Sequence, residues 1–330
     1  MRSFKVVGRA MSVLAFLGLL AGCVGSQQSF SPTTAASSQR PSRTQRSWIK
    51  AGASEEPLVY VGGVWGSTEP ATFMLSYPDG NVVGMLDDYG RGMCSDAQGN
   101  VYLTHENSAT EYAHGGTTPL RTLRVPGSEV YNCAVDPTTG DVALTLTCPP
   151  CGYIDIAIFP PGSGKPLRLN NGTGAWTCGY DASGNLFVNS PYAVLSELPK
   201  GSSDFHAITL DQQIGAAGQV QWDGSYMTLQ QNSYPGWIYR FTVSGSTAHV
   251  LKPTKFTMNI QSANASWIYG KSILIPFSKK RDPDPGTLGI WPYPKGRRAI
   301  KLIKHLPSED RYFGAVTVSA PPSGTLLKRE

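Results

Sequence analysis

Three stretches repeat one phrase: "MCSDAQGNVYL" at 93–103, "CAVDPTTGDVAL" at 133–144 and "CGYDASGNLFV" at 178–188. Each runs from a cysteine to an aspartate, then a polar turn with glycine, then a run of β-formers. Asp, Gly and Asn build tight turns because the short side chains bond the backbone locally and glycine accepts positive φ. The phrase therefore reads as strand, turn, strand. Its glycines, Gly99, Gly140 and Gly184, continue to Gly224 in "QVQWDGSYMTL" and Gly270 in "ASWIYGKSILI", at intervals of 41, 44, 40 and 46 residues. A period of about 40–50 residues with several short strands per unit points to a β-propeller.

A second phrase lies between the copies. "MLSYPDGN", "TEYAHGGTTP", "IAIFPPGSGKP", "SELPKGSSD", "YRFTVSGST" and "GIWPYPKGRR" each end a strand in a Gly/Pro turn, with another β-rich run following. One unit is then strand a, turn, strand b, longer loop, strand c, turn, strand d. After the first 22 residues no segment sustains helical periodicity.

The two ends complete each other. "FGAVTVSA" at 313–320 reads as a strand a with no strands after it, while "LVYVGG", "TFMLSYP" and "NVVGML" read as strands b, c and d with no strand a before them. Joining them closes a ring and removes the open edge that invites aggregation. The expected fold is all-β, a six-bladed β-propeller over residues 51–330, its ring closed by the C-terminal inner strand joining the N-terminal strands. The repeated D-x-x-G-N-hydrophobic-Y/F-V phrase resembles the NHL-repeat type of propeller. That resemblance implies a fold and no single activity, because the architecture carries lactonases, lyases, sensors and binding scaffolds alike.

The N-terminus sets the expected compartment. Arg2, Lys5 and Arg9 precede a short apolar run, Ala10–Leu20, too short to span a bilayer. It ends in Leu20-Ala21-Gly22-Cys23, which resembles a bacterial lipobox. The resemblance implies a signal peptide over 1–22 and lipid on Cys23. It also implies an exported protein anchored to the cell envelope, at the outer membrane where one exists, since Val24 rather than Asp follows the cysteine. Residues 23–50 are rich in Ser, Gln, Thr, Pro and Arg and read as a flexible tether.

This division alters the charge argument. The chain has 28 Lys and Arg against 23 Asp and Glu. Seven cations (Arg2, Lys5, Arg9, Arg40, Arg43, Arg46 and Lys50) and no acid precede residue 51, leaving 21 against 23, a net of −2. The electrostatic case for nucleic-acid binding disappears. The expected partners are a membrane, through the lipid, and a protein or small-molecule ligand, with a monomer as the folded unit.

In such a blade the a–b and c–d turns share one face, and these are nearly uniform here. The b–c and d–a loops share the other and differ in every unit, which suits them to carry a site. Their aromatic, amide and charged residues form the candidate ligand-binding set: Tyr89, Arg91, Glu106, Tyr131, Asn132, Trp176, Tyr192, Gln231, Tyr234, Trp237, Arg311 and Tyr312. Stacking rings beside hydrogen-bonding groups suit a polar ligand or a peptide; capping the blade ends is the competing role for the same residues.

Catalytic signals are thin. The five histidines fall in different loops without HxH or HExxH spacing, and no G-x-S-x-G elbow occurs. "PPGSGKPL" at 160–167 lacks the leading glycine and following helix of a phosphate loop, and Pro166 stands where Ser or Thr belongs. No catalytic residue, resident metal or cofactor is assigned. The alternative is a lactonase-like propeller hydrolase or lyase with a metal, calcium in that branch, or a His/Arg site in the central channel; "DPDPG" at 282–286 offers it two carboxylates.

The cysteines sort into two kinds. Cys94, Cys133 and Cys178 begin strand a in three consecutive units, whereas Cys148-Pro-Pro-Cys151 lies in a b–c loop. The expected disulfide lies within that loop, or joins it to Cys133 or Cys178. A four-thiolate zinc site from Cys133, Cys148, Cys151 and Cys178 is the competing arrangement. "KGRRAIKLIK" at 295–304 reads as a lysine-protected outer edge or as a surface attracted to anionic headgroups.

Overall fold

The computed structural model describes residues 47–62, 71–147, 156–190, 194–215, 217–233, 235–258, 260, 263, 265–277, 287–304, 306 and 313–322. The lipobox with Cys23, the loop holding Cys148 and Cys151, the 282–286 carboxylates, and Tyr192, Tyr234, Arg311 and Tyr312 lie outside these residues.

Almost every element is a short strand. The chain opens with β1 (Trp48–Ile49), a single 3-10 turn at Ala53–Glu55, then β2 (Leu58–Gly62), β3 (Thr72–Ser76) and β4 (Val82–Leu86). Next come β5 (Met93–Ser95), β6 (Val101–Thr104), β7 (Ser108–Tyr112) and β8 (Pro119–Arg124). They are followed by β9 (Glu129–Val135), β10 (Val142–Thr147), β11 (Ile156–Phe159) and β12 (Leu167–Leu169). The fourth run is β13 (Thr177–Tyr180), β14 (Leu186–Asn189), β15 (Leu195–Leu198) and β16 (His206–Leu210). The fifth is β17 (Ala217–Trp222), β18 (Met227–Gln231), β19 (Ile238–Ser244) and β20 (Thr247–Val250). The last is β21 (Trp267–Tyr269), β22 (Ser272–Phe277), β23 (Thr287–Pro292) and β24 (Lys301–Ile303), before the terminal β25 (Ala315–Ser319).

These strands form a propeller arrangement of four small sheets and one eight-stranded sheet. Strands β5–β8, β9–β12 and β21–β24 each make a four-stranded antiparallel meander. Strand β25 pairs with β2, from Ala315 opposite Gly62 to Ser319 opposite Leu58, so the two ends of the chain share a sheet as expected. That sheet carries a fifth, outer strand: Trp48 and Ile49 pair with Met85 and Gly84. The tether expected through residue 50 thus contributes a strand, which a two-residue segment cannot announce by periodicity. In the eight-stranded sheet, β13–β16 and β17–β20 join through parallel pairing of outer strands, Thr209 with Thr247 and Leu210 with Ala248.

Apolar layers between neighbouring sheets hold the ring. Leu58, Tyr60 and Met74 pack with Val101, Leu103 and Tyr112 of the next sheet. At the other side of the closing sheet, Val59, Phe73 and Leu75 meet Leu274, Leu288 and Ile290. Inner and middle strands are buried on both faces, whereas β8 and β12 stand mostly exposed. Each fully buried Leu-sized side chain contributes about 1.5–3 kcal/mol, so packing between sheets outweighs any single polar tie. Trp291, wholly buried, sits between Phe256 and Phe277 with ring centroids 5.1 and 5.6 Å away.

The repeated phrase does what its residues suggest. Asp96 accepts from the backbone N–H groups of Gln98 and Asn100 at 3.0 and 2.7 Å, and Asp181 accepts from those of Ser183 and Asn185 at 2.8 and 2.9 Å. Gly99 has φ 86° in the first turn, and a Cβ there would lie 2.2 Å from the Ala320 carbonyl. Only glycine fits both demands.

The cysteines require a correction. Cys133 is bonded to Cys94, with Cα atoms 5.6 Å apart, not to Cys148 or Cys151, and Cys178 is a free, buried thiol. A bond from the loop to Cys133 or Cys178, and a four-thiolate zinc site that includes Cys133, are thereby overturned; a bond within the loop itself lies outside the described residues. Cys94 and Cys133, at equivalent positions on adjacent inner strands, lie within bridging distance, so β5 and β9 are tied across two sheets. Burial pushes the Cys178 thiol far up, leaving it protonated and unreactive.

Candidate binding rim

The irregular face is organised by a device that the sequence does not announce. Near the end of a second strand, one polar side chain reaches the next four-strand run and donates to a backbone carbonyl near its inner strand. Thr104 Oγ1 donates to Tyr131 O at 3.1 Å, and Thr145 Oγ1 to Trp176 O at 3.0 Å. Asn189 Nδ2 donates to Gly218 O at 3.1 Å and Gln230 Nε2 to Ala263 O at 2.9 Å. All four side chains are buried. They differ in type, so no motif marks them. The Oδ1 of Asn189 and Oε1 of Gln230 have no hydrogen-bond partner among the described residues.

The first two latches hold the backbone of a strip of candidate residues. The Arg91 guanidinium lies over the Tyr131 ring at 5.4 Å, and that ring lies 5.9 Å from Trp176. Arg91 Nη1 donates to Glu129 Oε2 at 3.1 Å; the Arg91 side chain is nearly buried, whereas Glu129 is half exposed. One cation and two rings thus line up across three consecutive inner strands. Cation–ring and ring–ring contacts of this kind contribute about 0.5–1.5 kcal/mol each.

Beside the strip, Tyr89 stands edge-on to His105 at 5.9 Å. His105 Nε2 lies 2.9 Å from Thr110 Oγ1, and Nδ1 is 3.7 Å from Asp88 Oδ1. Asp88 accepts from Tyr112 at 2.6 Å. Burial lowers the His105 pKa, against the smaller raising effect of Asp88, so the ring is held neutral. Glu106 is exposed, and its carbonyl accepts from Val130 N–H at 3.0 Å.

The other described candidates stand apart from the strip. Asn132 is buried, donating to Gln219 Oε1 at 3.0 Å and accepting from Cys178 N–H at 3.4 Å, so it ties inner strands together. Gln231 accepts from Tyr239 at 3.2 Å, and Trp237 lies under the Lys255 ammonium at 3.9 Å. The structure therefore brings together Arg91, Tyr131 and Trp176, with Tyr89 and Glu106 on the same face. Glu129 completes the strip and was missed, because a glutamate opening a strand carries no signal. Among the described residues no group of three or more His, Cys, Asp or Glu side chains could hold a metal ion.

No protein-family model matches the chain, and no curated protein matches it. Solved structures do. A protein of unknown function from Bacteroides caccae superposes with TM-score 0.61 at 10% identity, over 80% of this chain and 99% of its own. A chain of a nidogen/laminin complex gives 0.62 at 12% identity, over 81% and 99%. The β-propeller domain of Myceliophteria thermophila Cps50 (Swd1) gives 0.53 at 11% identity, over 80% and 86%. At such identities the likeness shows the β-propeller fold alone.

Proposed function

We propose that this protein is a lipid-anchored β-propeller of the cell envelope that binds a ligand or protein partner at the rim of its irregular face. Its blade number is six, of the NHL-like kind, and lipid on Cys23 supplies the anchor, at the outer membrane where one exists. Six apolar layers support the count, each between consecutive four-strand runs, from the pair at Leu58 and Val101 round to the pair at Val59 and Leu274. The lipobox residues support the anchor.

The observation that carries the binding reading is the Arg91–Tyr131–Trp176 strip with Glu129 beside it. Two partly exposed rings offer a stacking surface, and a half-exposed carboxylate accepts hydrogen bonds. The favoured ligand has a flat or sugar-like face and hydroxyl or amine donors at its edge. A binding role is favoured over a hydrolytic one because both nitrogens of His105 already face protein groups.

Saturation-transfer NMR with a panel of monosaccharides, aromatic amino acids and short peptides tests the reading. A transfer signal that disappears in Trp176→Ala and Tyr131→Ala but persists in Trp237→Ala supports the rim. A signal that survives both rim substitutions, or no signal with any panel member and no binding of any envelope protein, overturns it.

A further inference from the structure

The last sheet carries the densest run of exposed, unpaired cations among the described residues, where β8 and β12 show only isolated ones such as Arg124 and Arg168. Elsewhere the guanidinium groups of Arg91, Arg121 and Arg240 are paired with Glu129, Glu111 and Asp223. On and beside β24, Lys295, Arg297, Arg298, Lys301 and Lys304 are all exposed, and none makes an ion pair among the described residues. Nor is there any Asp or Glu among the described residues between 251 and 304. The backbone of one of these cations is held in place. Arg297 sits at φ 70°, where only a supporting scaffold keeps a non-glycine residue. That scaffold is the 254–257 segment: Arg297 N–H donates to Lys255 O at 2.7 Å, and Thr257 N–H to Arg297 O at 2.9 Å. The same pairing brings the Lys255 backbone alongside, with its ammonium turned over the Trp237 ring.

Two large aliphatic side chains interleave with this charge: Ile300 is 63% exposed and Leu302 36%. Strand β24 pairs only with β23, so this edge of the sheet is uncovered among the described residues. Its other side is fixed, with Ile303 buried against the closing sheet where Gly80 leaves room for it. That closing sheet also receives β1, the strand through which residues N-terminal to 47 enter the propeller.

We propose that the outer edge around β24 is a peripheral contact surface for a bilayer rich in anionic phospholipid. Exposed cations draw in the headgroups, and the aliphatic pair between them enters the interface, as in surface-bound amphipathic segments. A polynucleotide would use the cations equally well, but single strands are gripped by stacking aromatic rings, and the exposed apolar residues of this edge are aliphatic. The proposal is independent of the rim and of lipid on Cys23.

The full chain carrying Cys23→Ser, which can take no acyl chain there, is sedimented with vesicles of phosphatidylcholine with and without phosphatidylglycerol. Partitioning is expected to rise at least about tenfold with the anionic lipid and to fall as salt screens the charge. One cation near such a surface is worth about fivefold. Arg297→Gln/Arg298→Gln/Lys301→Gln should therefore lose more than about tenfold while its thermal unfolding stays that of the parent. Ile300→Ser/Leu302→Ser should weaken binding severalfold and keep its salt dependence. Should the triple variant unfold, Lys295→Gln/Lys304→Gln carries the same expectation. Equal binding to both vesicle types, unchanged binding in the charge variants, or tighter binding to oligothymidylate than to anionic vesicles overturns the proposal.

Discussion

The two faces of the propeller solve one problem, fixing the ends of short strands, in opposite ways. On the turn face, Asp96 and Asp181 bond atoms two to four residues ahead. On the irregular face, Thr104, Thr145, Asn189 and Gln230 bond atoms 27 to 33 residues ahead, at the next four-strand run. The first device shapes a turn; the second ties one four-strand run to the next. A local cap holds one hairpin, while a buried latch also satisfies groups that have no water to turn to. Ties between sheets should therefore cost more to remove than turn caps, and that ordering can be broken.

The covalent tie comes first. The Cys94–Cys133 bond closes a loop of 39 residues between inner strands. Chain-entropy reasoning makes its removal in Cys94→Ala/Cys133→Ala cost about 3–4 kcal/mol, read as the midpoint shift in urea unfolding. Thiol titration of the unreduced, unfolded chain should leave at least two cysteines unreactive. Full reactivity would remove the tie from the comparison.

Asp223 belongs to both systems and is expected next, at about 3 kcal/mol for Asp223→Ala. Its Oδ1 caps a turn through Ser225 and Tyr226, while Oδ2 accepts from Arg240 and from Tyr293 of the following sheet, both at 2.6 Å. Its side chain is fully buried. Truncation leaves a guanidinium without its partner, which costs more than the pair contributes. The double variant with Arg240→Met should recover part of the loss; no recovery would mean that the turn cap alone accounts for the effect.

Thr145→Val against Asp181→Ala is the direct contest. Valine keeps the shape of a wholly buried side chain but abandons the Trp176 carbonyl and the Asn132 N–H, at about 2 kcal/mol. Asp181→Ala removes a half-exposed cap at about 1 kcal/mol. Thr145→Val should also change Trp176 fluorescence, because the latch positions the rim. If the turn variant costs more, the comparison fails.

This contrast also sets what the sequence makes legible. Asp, Gly and polar residues recur within four positions, so their turn chemistry repeats visibly and announces the strand order, down to the closing pair β25 and β2. The latches recur in geometry and not in identity, since Thr, Asn and Gln all place a donor at similar reach. The Cys94–Cys133 bond was hidden for a related reason: a spacing of one repeat looks like mere equivalence until the inner strands are seen side by side. The parallel β16–β20 pairing joins "HAITL" to "TAHV", two ordinary outer strands whose meeting no local pattern encodes. Of the candidate site, Arg91, Tyr131 and Trp176 were found by their loop class, while Glu129 needed the fold.

The smallest effect concerns the seam where the ring closes. His114 Nδ1 lies 2.7 Å from Ser319 Oγ of the terminal strand, and Nε2 is 3.2 Å from the Glu56 carbonyl. Burial lowers its pKa below 6.5, more than the Glu56 carbonyl raises it, and His105 shifts the same way. A histidine whose folded pKa is depressed binds fewer protons folded than unfolded, so stability rises with pH across that window. It is complete above about pH 6.5 and falls away as pH drops through the lower folded value. The thermal midpoint should thus decline between about pH 7 and pH 5.5, and His114→Gln should flatten the decline while keeping a hydrogen bond to Glu56. His105→Gln should flatten the remainder. Because His114 spans two sheets, a flattening smaller for His114→Gln than for His105→Gln would count against the seam as an inter-sheet tie.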